Sequence, residues 1–412
     1  MTATLTNSDQ VDQLLDGIHI IDSDSHFTEP PDLWTSRVPA SMHDKVPQMR
    51  TKDGVTHWYL GDEMLMGIGG NTLSRGKKKE LGTLFVQPWE EVDSSTWDPR
   101  ERVKLLDEMG VYAQILFSNA VGFSSNTFFG VDDLAQRAIL IQTYNDFMAD
   151  VQQESGGRLF PQPLLPTWDM DLTLKEMVRL RERGMRGFTI SDKPHNTGLP
   201  GLDSEYFEPM WQLGNDMGLV FNFHIAGGGD KKIGNQTSMN PMAQSNPDVY
   251  WDSYGPQRRL AILSSQFYMS NARIILNLCM GNFFDRFPNI KVFSAESGIG
   301  WVPFIIEAME FQLDEMVTDP AEIALQKRRP REYFADHIYV SFWFERSGPK
   351  HLIEDIGVHN VLVETDVPHP TCIYPGARER LATALSHVDA YTRRRVLQDN
   401  AAELYNIPLP TA

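Results

Sequence analysis

Short runs of apolar residues recur along this 412-residue chain, and they constrain its fold more than any other feature. They are apolar almost throughout, as expected of strands that are covered on both faces. Helical patterns separate them, and strand–helix alternation of this kind is typical of a parallel sheet. The predicted strands are Ile18–Asp22, Ala113–Phe117, Leu159–Leu164, Gly187–Ile190, Leu219–Phe223, Ile290–Ser294, Ile338–Phe342 and Asn360–Glu364.

Two of the intervening segments carry clear helix signals. In the first, Asp98 suits the N-cap, Pro99 the first helical position and Gly110 the left-handed position after the last turn. The second places six residues on one face, namely Leu134, Ala138, Ile141, Tyr144, Met148 and Val151. No glycine-rich phosphate loop follows the first strand, which removes the main support for an open nucleotide-binding sheet. The sequence therefore predicts an α/β fold, a (β/α)8 TIM-like barrel.

The barrel is predicted to be a single domain over residues 1–412 with two long insertions. Residues 41–97 include a polar, glycine-rich stretch, and residues 226–258 form a long loop after the fifth strand. Loops of this length are usually functional or disordered. Because both segments follow strand ends, we favour lids over the carboxyl-terminal mouth of the barrel.

Charge and composition limit the partners and the compartment. The formal net charge is −18, which disfavours nucleic acid and anionic membranes because both would repel the chain. There is no apolar stretch of the roughly 20 residues that cross a bilayer, and the amino terminus lacks the features of a signal peptide. Two cysteines, Cys279 and Cys372, cannot build a disulfide framework. We expect a soluble cytoplasmic protein.

Asp22, Asp24 and His26 lie two residues apart at the end of the first predicted strand. If that strand continues, all three side chains project to the same face, and in a barrel this can be the interior near the catalytic mouth. Oxygen and nitrogen donors at this spacing can bind one metal ion. The alternative is that Asp22 caps a turn and His26 begins a surface loop.

Three further strand ends carry a histidine or a carboxylate. His224 ends the fifth strand and precedes glycines that allow close approach to a bound group. Asp366 leaves an apolar strand and needs a partner, which a metal ion or an Asx-turn before Pro368 would supply. Glu296 follows the sixth strand as a ligand, an acid/base or an arginine partner. Together these four strand ends favour a metal site.

Several longer segments complete a recognisable pattern: IDSDSHFTEPPDLW, TYNDFMAD, FPNIKVFSAESGIGWVP, ETDVPH and DNAAELYNI. With them the chain resembles, nearly end to end, the amidohydrolase-related family that includes the aminocarboxymuconate-semialdehyde and γ-resorcylate decarboxylases, within the metal-dependent amidohydrolase superfamily. The resemblance implies a divalent ion held by Asp24, His26, His224 and Asp366. It also implies that Asp366 handles a proton.

Two positions depart from the pattern of the family. Its sixth-strand histidine, an acid/base in the decarboxylases, is Glu296 here, and an arginine that engages the substrate carboxylate falls on Ala308. A set of two imidazoles and three carboxylates shifts metal preference from Zn²⁺ towards Mn²⁺ or Fe²⁺. Carboxylates can also bridge two ions about 3.5–4 Å apart. His195 and His369 are candidates for extending the ligand set.

The sequence thus predicts a metal-dependent hydrolase or non-oxidative decarboxylase acting on a small aromatic or carbonyl-bearing molecule. Asp366 and Glu296 are the predicted catalytic residues, with one or two Zn, Mn or Fe ions per chain. Candidates for an apolar pocket wall are Trp301, Phe342, Trp343 and Phe344. The alternatives are a dinuclear Fe or Mn/Fe oxygenase and a non-catalytic paralogue that serves an active subunit. By resemblance we expect a homo-oligomer.

Overall fold

A single parallel sheet of eight strands organises the molecule, whose computed structural model describes residues 8–228 and 248–410. In chain order the strands are β1 (Ile21–Phe27), β2 (Ala113–Ser118), β3 (Leu159–Pro161), β4 (Gly187–Thr189), β5 (Val220–His224), β6 (Lys291–Ala295), β7 (Ile338–Phe342) and β8 (Val361–Val363). Their order across the sheet is β3-β2-β1-β8-β7-β6-β5-β4.

The two edges of this sheet meet just beyond β3. Leu164 forms a parallel bridge with Thr189 of β4, and the Thr189 amide donates to the Pro163 carbonyl over 2.9 Å. The bridge joins the edge strands, so the sheet curls into the predicted (β/α)8 arrangement. Every predicted strand is present, because a run that is buried on both faces has an unambiguous apolar signal.

Strand β1 departs most from its prediction. The expected strand ended at Asp22, whereas β1 continues to Phe27 with every residue buried. It pairs with β2 on one side and β8 on the other, so its backbone is satisfied even though most of its side chains are polar. Tertiary pairing has outweighed a polar sequence that, taken alone, favours a loop.

Helices flank the strands, and the predicted helix signals are confirmed where they were clearest. Asp98 accepts from the amides of Arg100 and Glu101, and Gly110 is left-handed at φ 67°. The α-helices among the described residues are Ser8–Leu15, Pro99–Met109, Leu134–Glu154, Met170–Glu182, Glu208–Met217, Pro256–Phe267, Ala272–Cys279, Phe283–Arg286, Val302–Met316, Pro320–Leu325, Pro330–His337, Ser347–His351, Ile353–Ile356, Ala377–Ala384, Ala390–Arg394 and Asn400–Leu404. None of these helices is long and apolar enough to span a membrane.

Shorter helical turns complete the described chain. They are the 3₁₀ turns Ala40–Lys45, Trp89–Glu91, Ser94–Thr96, Ser125–Gly130, Pro194–Thr197 and Val358–Asn360 and the π-helical turn Arg395–Asp399. The predicted face of the helix Leu134–Glu154 is buried at Ile141, Tyr144, Met148 and Val151, whereas Leu134 is exposed. Leu134 is the first helical residue, which leaves its side chain outside the contact.

The segment 41–97 folds into small sheets near the carboxyl ends of the barrel strands. Antiparallel strands Gln48–Lys52, Val55–Leu60 and Glu63–Met66 form one sheet, and Leu73–Ser74 pairs with Lys78–Lys79 in another. The Thr72 amide donates to the Pro368 carbonyl over 2.9 Å, which fixes the segment beside the loop that follows β8. Of the second predicted insertion, residues 229–247 lie outside the described chain.

Candidate metal centre

Polar side chains from four strands converge where those strands end. Asp24 and His26 belong to β1, His224 is the last residue of β5, Glu296 follows β6 and Asp366 lies beyond β8. Two overlapping groups of potential ligands result, and within each group all ligand atoms lie within 4.8 Å of one another. One group is Asp24, His26 and His224, and the other is His26, Glu296, Asp366 and His369.

The distances at this cluster are those of atoms grouped around a common point. The Nε2 atom of His26 lies 3.6 Å from Asp24 Oδ1 and 3.3 Å from Asp366 Oδ1. The Nε2 atom of His224 lies 3.3 Å from Asp24 Oδ2 and 3.5 Å from Glu296 Oε2. These contacts are longer than a good hydrogen bond of about 2.7–3.2 Å. They match donors that each reach one ion over about 2.0–2.2 Å.

Both β-strand histidines are oriented by a backbone carbonyl. His26 Nδ1 lies 3.0 Å from the carbonyl of Ser118, and His224 Nδ1 lies 2.8 Å from the carbonyl of Ile225. Because a carbonyl only accepts, Nδ1 carries the hydrogen and Nε2 presents its lone pair to the cluster, as in most metal-ligating histidines. Burial lowers the pKa of both imidazoles to about 3, so each is neutral at neutral pH.

Several buried donor atoms lack a hydrogen-bond partner within the described chain. At this cluster they include both carboxylate oxygens of Asp24 and the Nε2 atoms of His26 and His224. Burial raises the pKa of Asp24 well above its ordinary value, and repulsion from Asp366 and Asp22 adds to that effect. Unpaired buried polar atoms are costly. A divalent cation would satisfy all four atoms at once, so this donor set fits one.

Glu296 and Asp366 sit on left-handed backbone, with φ values of 50° and 59°. Such conformations are rare outside glycine and cluster at functional sites. Burial raises the pKa of Glu296 well above its ordinary value, and the charges of Asp366 and Asp24 raise it further. Burial alone would also raise the pKa of Asp366, but the neighbouring imidazoles of His369 and His26 bring it below its ordinary value.

His369 joins the cluster, whereas His195 does not. His369 Nδ1 lies 3.0 Å from Asp366 Oδ1, and its ring stacks on His26 with centroids 3.5 Å apart. His195 is exposed in the turn Pro194–Thr197. It lines a separate cavity with Asp203 and Arg273, because that turn leads the chain away from the barrel mouth.

Glu364 is a buried carboxylate that sequence reasoning placed within a strand and did not assign to the site. Its Oε2 atom accepts from Ser341 Oγ and lies 3.4 Å from the amide nitrogen of Glu296. Burial and the charge of Asp24 raise its pKa well above the ordinary value. The sequence signal that could have identified Glu364 as part of the site is its position as an acidic residue at the end of an otherwise apolar run.

A cavity of about 440 Å³ opens beside the cluster. Its polar wall includes Glu296, His369, Asn119, Thr127, Ser264 and Thr371, and its apolar wall includes Leu65, Met66, Leu84, Phe85, Phe123, Ile225, Leu260, Leu263 and Phe267. Tyr268 also lines it. A cavity of this size, largely apolar with a few polar groups, is typical of small-molecule sites.

The predicted aromatic wall is wrong in its details. Among the described residues, Trp301, Phe342, Trp343 and Phe344 do not line the cavity. Trp343 and Phe344 instead pack against Tyr268, with ring centroids 5.2 and 5.4 Å away, and so support the wall from behind. Ala308 lies on the outer helix Val302–Met316 and is likewise absent from the described lining.

Comparison with known proteins agrees with this architecture. Residues 21–407 match the amidohydrolase family. The chain belongs to that family. It is 25% identical over 323 residues to 2-amino-3-carboxymuconate-6-semialdehyde decarboxylase of Dictyostelium discoideum, a match that covers 77% of this chain and 79% of the relative. The predicted family is thereby confirmed.

Solved amidohydrolase structures show the same fold. One is an amidohydrolase from Mycobacterium avium subsp. paratuberculosis, with a TM-score of 0.67 and 16% identity, covering 94% of this chain and 99% of the other. Another is a dihydroxybenzoic acid decarboxylase from Polaromonas with bound manganese and 2-nitroresorcinol. Its TM-score is 0.59 at 18% identity, covering 94% of this chain and 97% of the other. These likenesses confirm the predicted fold.

Proposed function

We propose that this amidohydrolase is a metal-dependent decarboxylase that removes carbon dioxide from a small aromatic acid. The observation that carries the proposal is a set of unpartnered donor atoms on Asp24, His26 and His224 beside a cavity of about 440 Å³. Two proteins similar to this chain are decarboxylases, which favours this activity over an oxygenase activity and over a non-catalytic role.

We assign a divalent ion to Asp24, His26 and His224, with Asp366 and Glu296 beside it. When bound, the ion would polarise a carboxylate or hold it in place as a Lewis acid. The oxygen-rich donor set favours Mn²⁺ or Fe²⁺ over Zn²⁺, and the manganese in the Polaromonas enzyme supports Mn²⁺. The second ligand group, which adds His369, supports two ions per chain as an alternative to one.

The chain's own residues would position the acid and move the proton. In decarboxylation the bond between the ring and the carboxyl carbon breaks, its electron pair stays on the ring carbon, and that carbon takes up a proton as carbon dioxide leaves. Glu296 lies in the cavity wall and 3.5 Å from His224, so it faces both the substrate space and the ligand cluster. We assign proton delivery to Glu296. Asp366, in contact with His369, would keep that proton exchangeable with the cavity.

The test is to measure metal content and carbon dioxide release with the protein as purified. We expect at least one divalent ion per chain and turnover of a hydroxylated benzoic acid in a substrate panel. Glu296→Gln should lower kcat by about 10²–10⁴-fold, as for loss of a general acid, and should retain the metal. Glu307→Gln, on the exposed side of the helix Val302–Met316, is the matched control.

Different results would contradict the proposal at different points. If the protein binds no divalent ion, the proposed metal centre is wrong. If Glu296→Gln retains full turnover, the assignment of Glu296 as proton donor is wrong. Release of an alcohol or amine from an ester or amide, with no carbon dioxide from any acid in the panel, would make hydrolysis the activity instead.

A further inference from the structure

The helix Pro256–Phe267 has an apolar stripe but no buried residue. Leu260, Leu263 and Phe267 are spaced by three and four, which places them on one face. A helix in a globular protein usually buries such a face against the core. Here all three residues line the cavity, and Phe267 remains 37% exposed. The apolar face of this helix is therefore turned towards the space that a substrate would occupy.

Other apolar residues of the cavity lining come from segments far away in sequence. Leu65 and Met66 end a strand of the small antiparallel sheet, and Leu84 and Phe85 follow in the same segment. Phe123 closes the wall near the cluster, where its ring stacks on His224 with centroids 3.7 Å apart. Two independent parts of the chain thus supply hydrocarbon surface to one cavity.

Charge is distributed unevenly in this cavity. In the part of the lining that the structure describes there is no lysine or arginine, and the acidic and imidazole groups are Glu296 and His369, beside the ligand cluster. An anionic group placed between the apolar walls would lose its hydration without gaining a cation in return. Such a transfer is strongly unfavourable. A substrate with a second carboxylate is therefore disfavoured at that end.

We propose that the substrate is an aromatic monocarboxylic acid whose far end is uncharged and apolar, such as a ring with a hydrocarbon substituent. The inference rests on the proposed function for the placement of the reacting carboxylate at the ligand cluster. The far end of the molecule then contacts apolar lining residues such as Leu263, Phe267 and Leu65. A dicarboxylic acid would bind more weakly, because its second carboxylate would lose hydration against the same surfaces.

The test compares two probes on the manganese-loaded enzyme by calorimetry. The probes are 4-tert-butylbenzoate and benzene-1,4-dicarboxylate, which share a ring and a carboxylate and differ in the opposite group. We expect the hydrocarbon probe to bind at least about tenfold more tightly, because burial of its tert-butyl group removes apolar surface from water. Binding is measured directly, so an enzyme that binds the probe but releases no carbon dioxide contradicts the proposed function alone.

Variants on the same helix make the test specific. Leu263→Lys should weaken binding of the hydrocarbon probe by about tenfold or more and strengthen binding of the dicarboxylate. Leu263→Ala should weaken only the hydrocarbon probe. Ser265→Lys places the same charge at an exposed position of the helix and should change neither affinity. Equal affinities in the unsubstituted enzyme, failure of the hydrocarbon probe to bind, or identical behaviour of the two lysine variants would each overturn the inference.

Discussion

Asp22 and Asp24 are two residues apart on β1, and both are fully buried, yet their surroundings are opposite. Asp22 Oδ1 accepts from the amides of Thr365 and Asp24 over 2.8 and 3.3 Å. Its Oδ2 accepts from Gln114 Nε2 over 2.7 Å and from Thr365 Oγ1. Neither oxygen of Asp24 has a hydrogen-bond donor among the described residues.

The difference shows that two aspartates on one strand can have different roles, one structural and one functional. Asp22 is tied to Gln114, which in turn accepts from the buried guanidinium of Arg102 over 3.1 Å. Arg102 also donates to the carbonyl of His26 over 2.8 Å, so this network holds the backbone from which the predicted ligands Asp24 and His26 project. A buried carboxylate whose oxygens accept hydrogen bonds is compatible with a stable fold. A buried carboxylate without donors destabilises the fold, and a bound cation can remove that destabilisation.

The largest expected effect comes from the cluster of predicted ligands, to which Asp24 and Asp366 both belong. Asp366→Asn removes a charge that faces His26 and His369 at 3.3 and 3.0 Å. We expect turnover to fall by on the order of 10³-fold, because a group handling both the ion and a proton is lost. Metal content, measured by elemental analysis, should fall as well. The control is Asp389→Asn at an exposed helix N-cap, where asparagine caps equally well.

Unchanged turnover and metal content in Asp366→Asn would show that the carboxylate is another structural group like Asp22. Loss of turnover with full metal content would limit Asp366 to proton handling.

A paired substitution tests the comparison itself. Asp24→Asn should weaken metal binding by about 100-fold or more, since even outer ligand-orienting partners contribute about 10–100-fold. Its metal-free form should be as stable as the unsubstituted protein. Asp22→Asn should retain the metal but lose about 2–3 kcal/mol of unfolding free energy, because its amide group would face donors that need an acceptor. Elemental analysis and urea unfolding of metal-free protein measure the two effects.

The comparison would fail if the two variants behaved alike. Equal loss of metal would make Asp22 a ligand, and equal loss of stability would make Asp24 a structural carboxylate.

Much of the fold could be predicted from sequence because it depends on local signals. Apolar runs located each barrel strand, and a histidine or carboxylate where a run ended located Asp24, His26, His224, Glu296 and Asp366. Parallel strands bring their carboxyl ends to one place, so strand order alone makes such residues neighbours. The roles of these five residues as metal ligands remain predictions.

The rest depended on contacts that no local pattern encodes. Strand β1 could not be extended past Asp22, because its polar residues become buried only through pairing with β2 and β8. The aromatic wall was assigned to residues close to strand ends, whereas Leu65 and Leu263 reach the cavity from outside the barrel strands. His195 shared its residue type with the ligands, but the turn that carries it is exposed.

Substitution of Glu29 has the smallest expected effect of these predictions and tests the comparison most sharply. Like Asp22, Glu29 accepts hydrogen bonds, but all of the donors described below are backbone amides. Its carboxylate accepts from the amides of Asn119, Ala120 and Val121 over 3.2, 2.8 and 3.2 Å. Burial nevertheless raises its pKa to about 7 from an ordinary 4.5. The folded state therefore keeps this proton where the unfolded chain has lost it. Its stabilising contribution is complete below about pH 4.5 and is lost as the pH rises through about 7.

We expect the unfolding free energy of the unsubstituted protein to fall by about 2 kcal/mol more between pH 5 and 7.5 than that of Glu29→Gln. Urea unfolding at the two pH values measures this, and Glu315→Gln, at an exposed position, should retain the full pH dependence. If Glu29→Gln and the unsubstituted protein instead show parallel pH curves, the three amides hold Glu29 ionised in the fold. Backbone donors would then satisfy a buried carboxylate as completely as the mixed donors around Asp22 do. The lack of a donor to Asp24 within the described chain would distinguish that residue more sharply still.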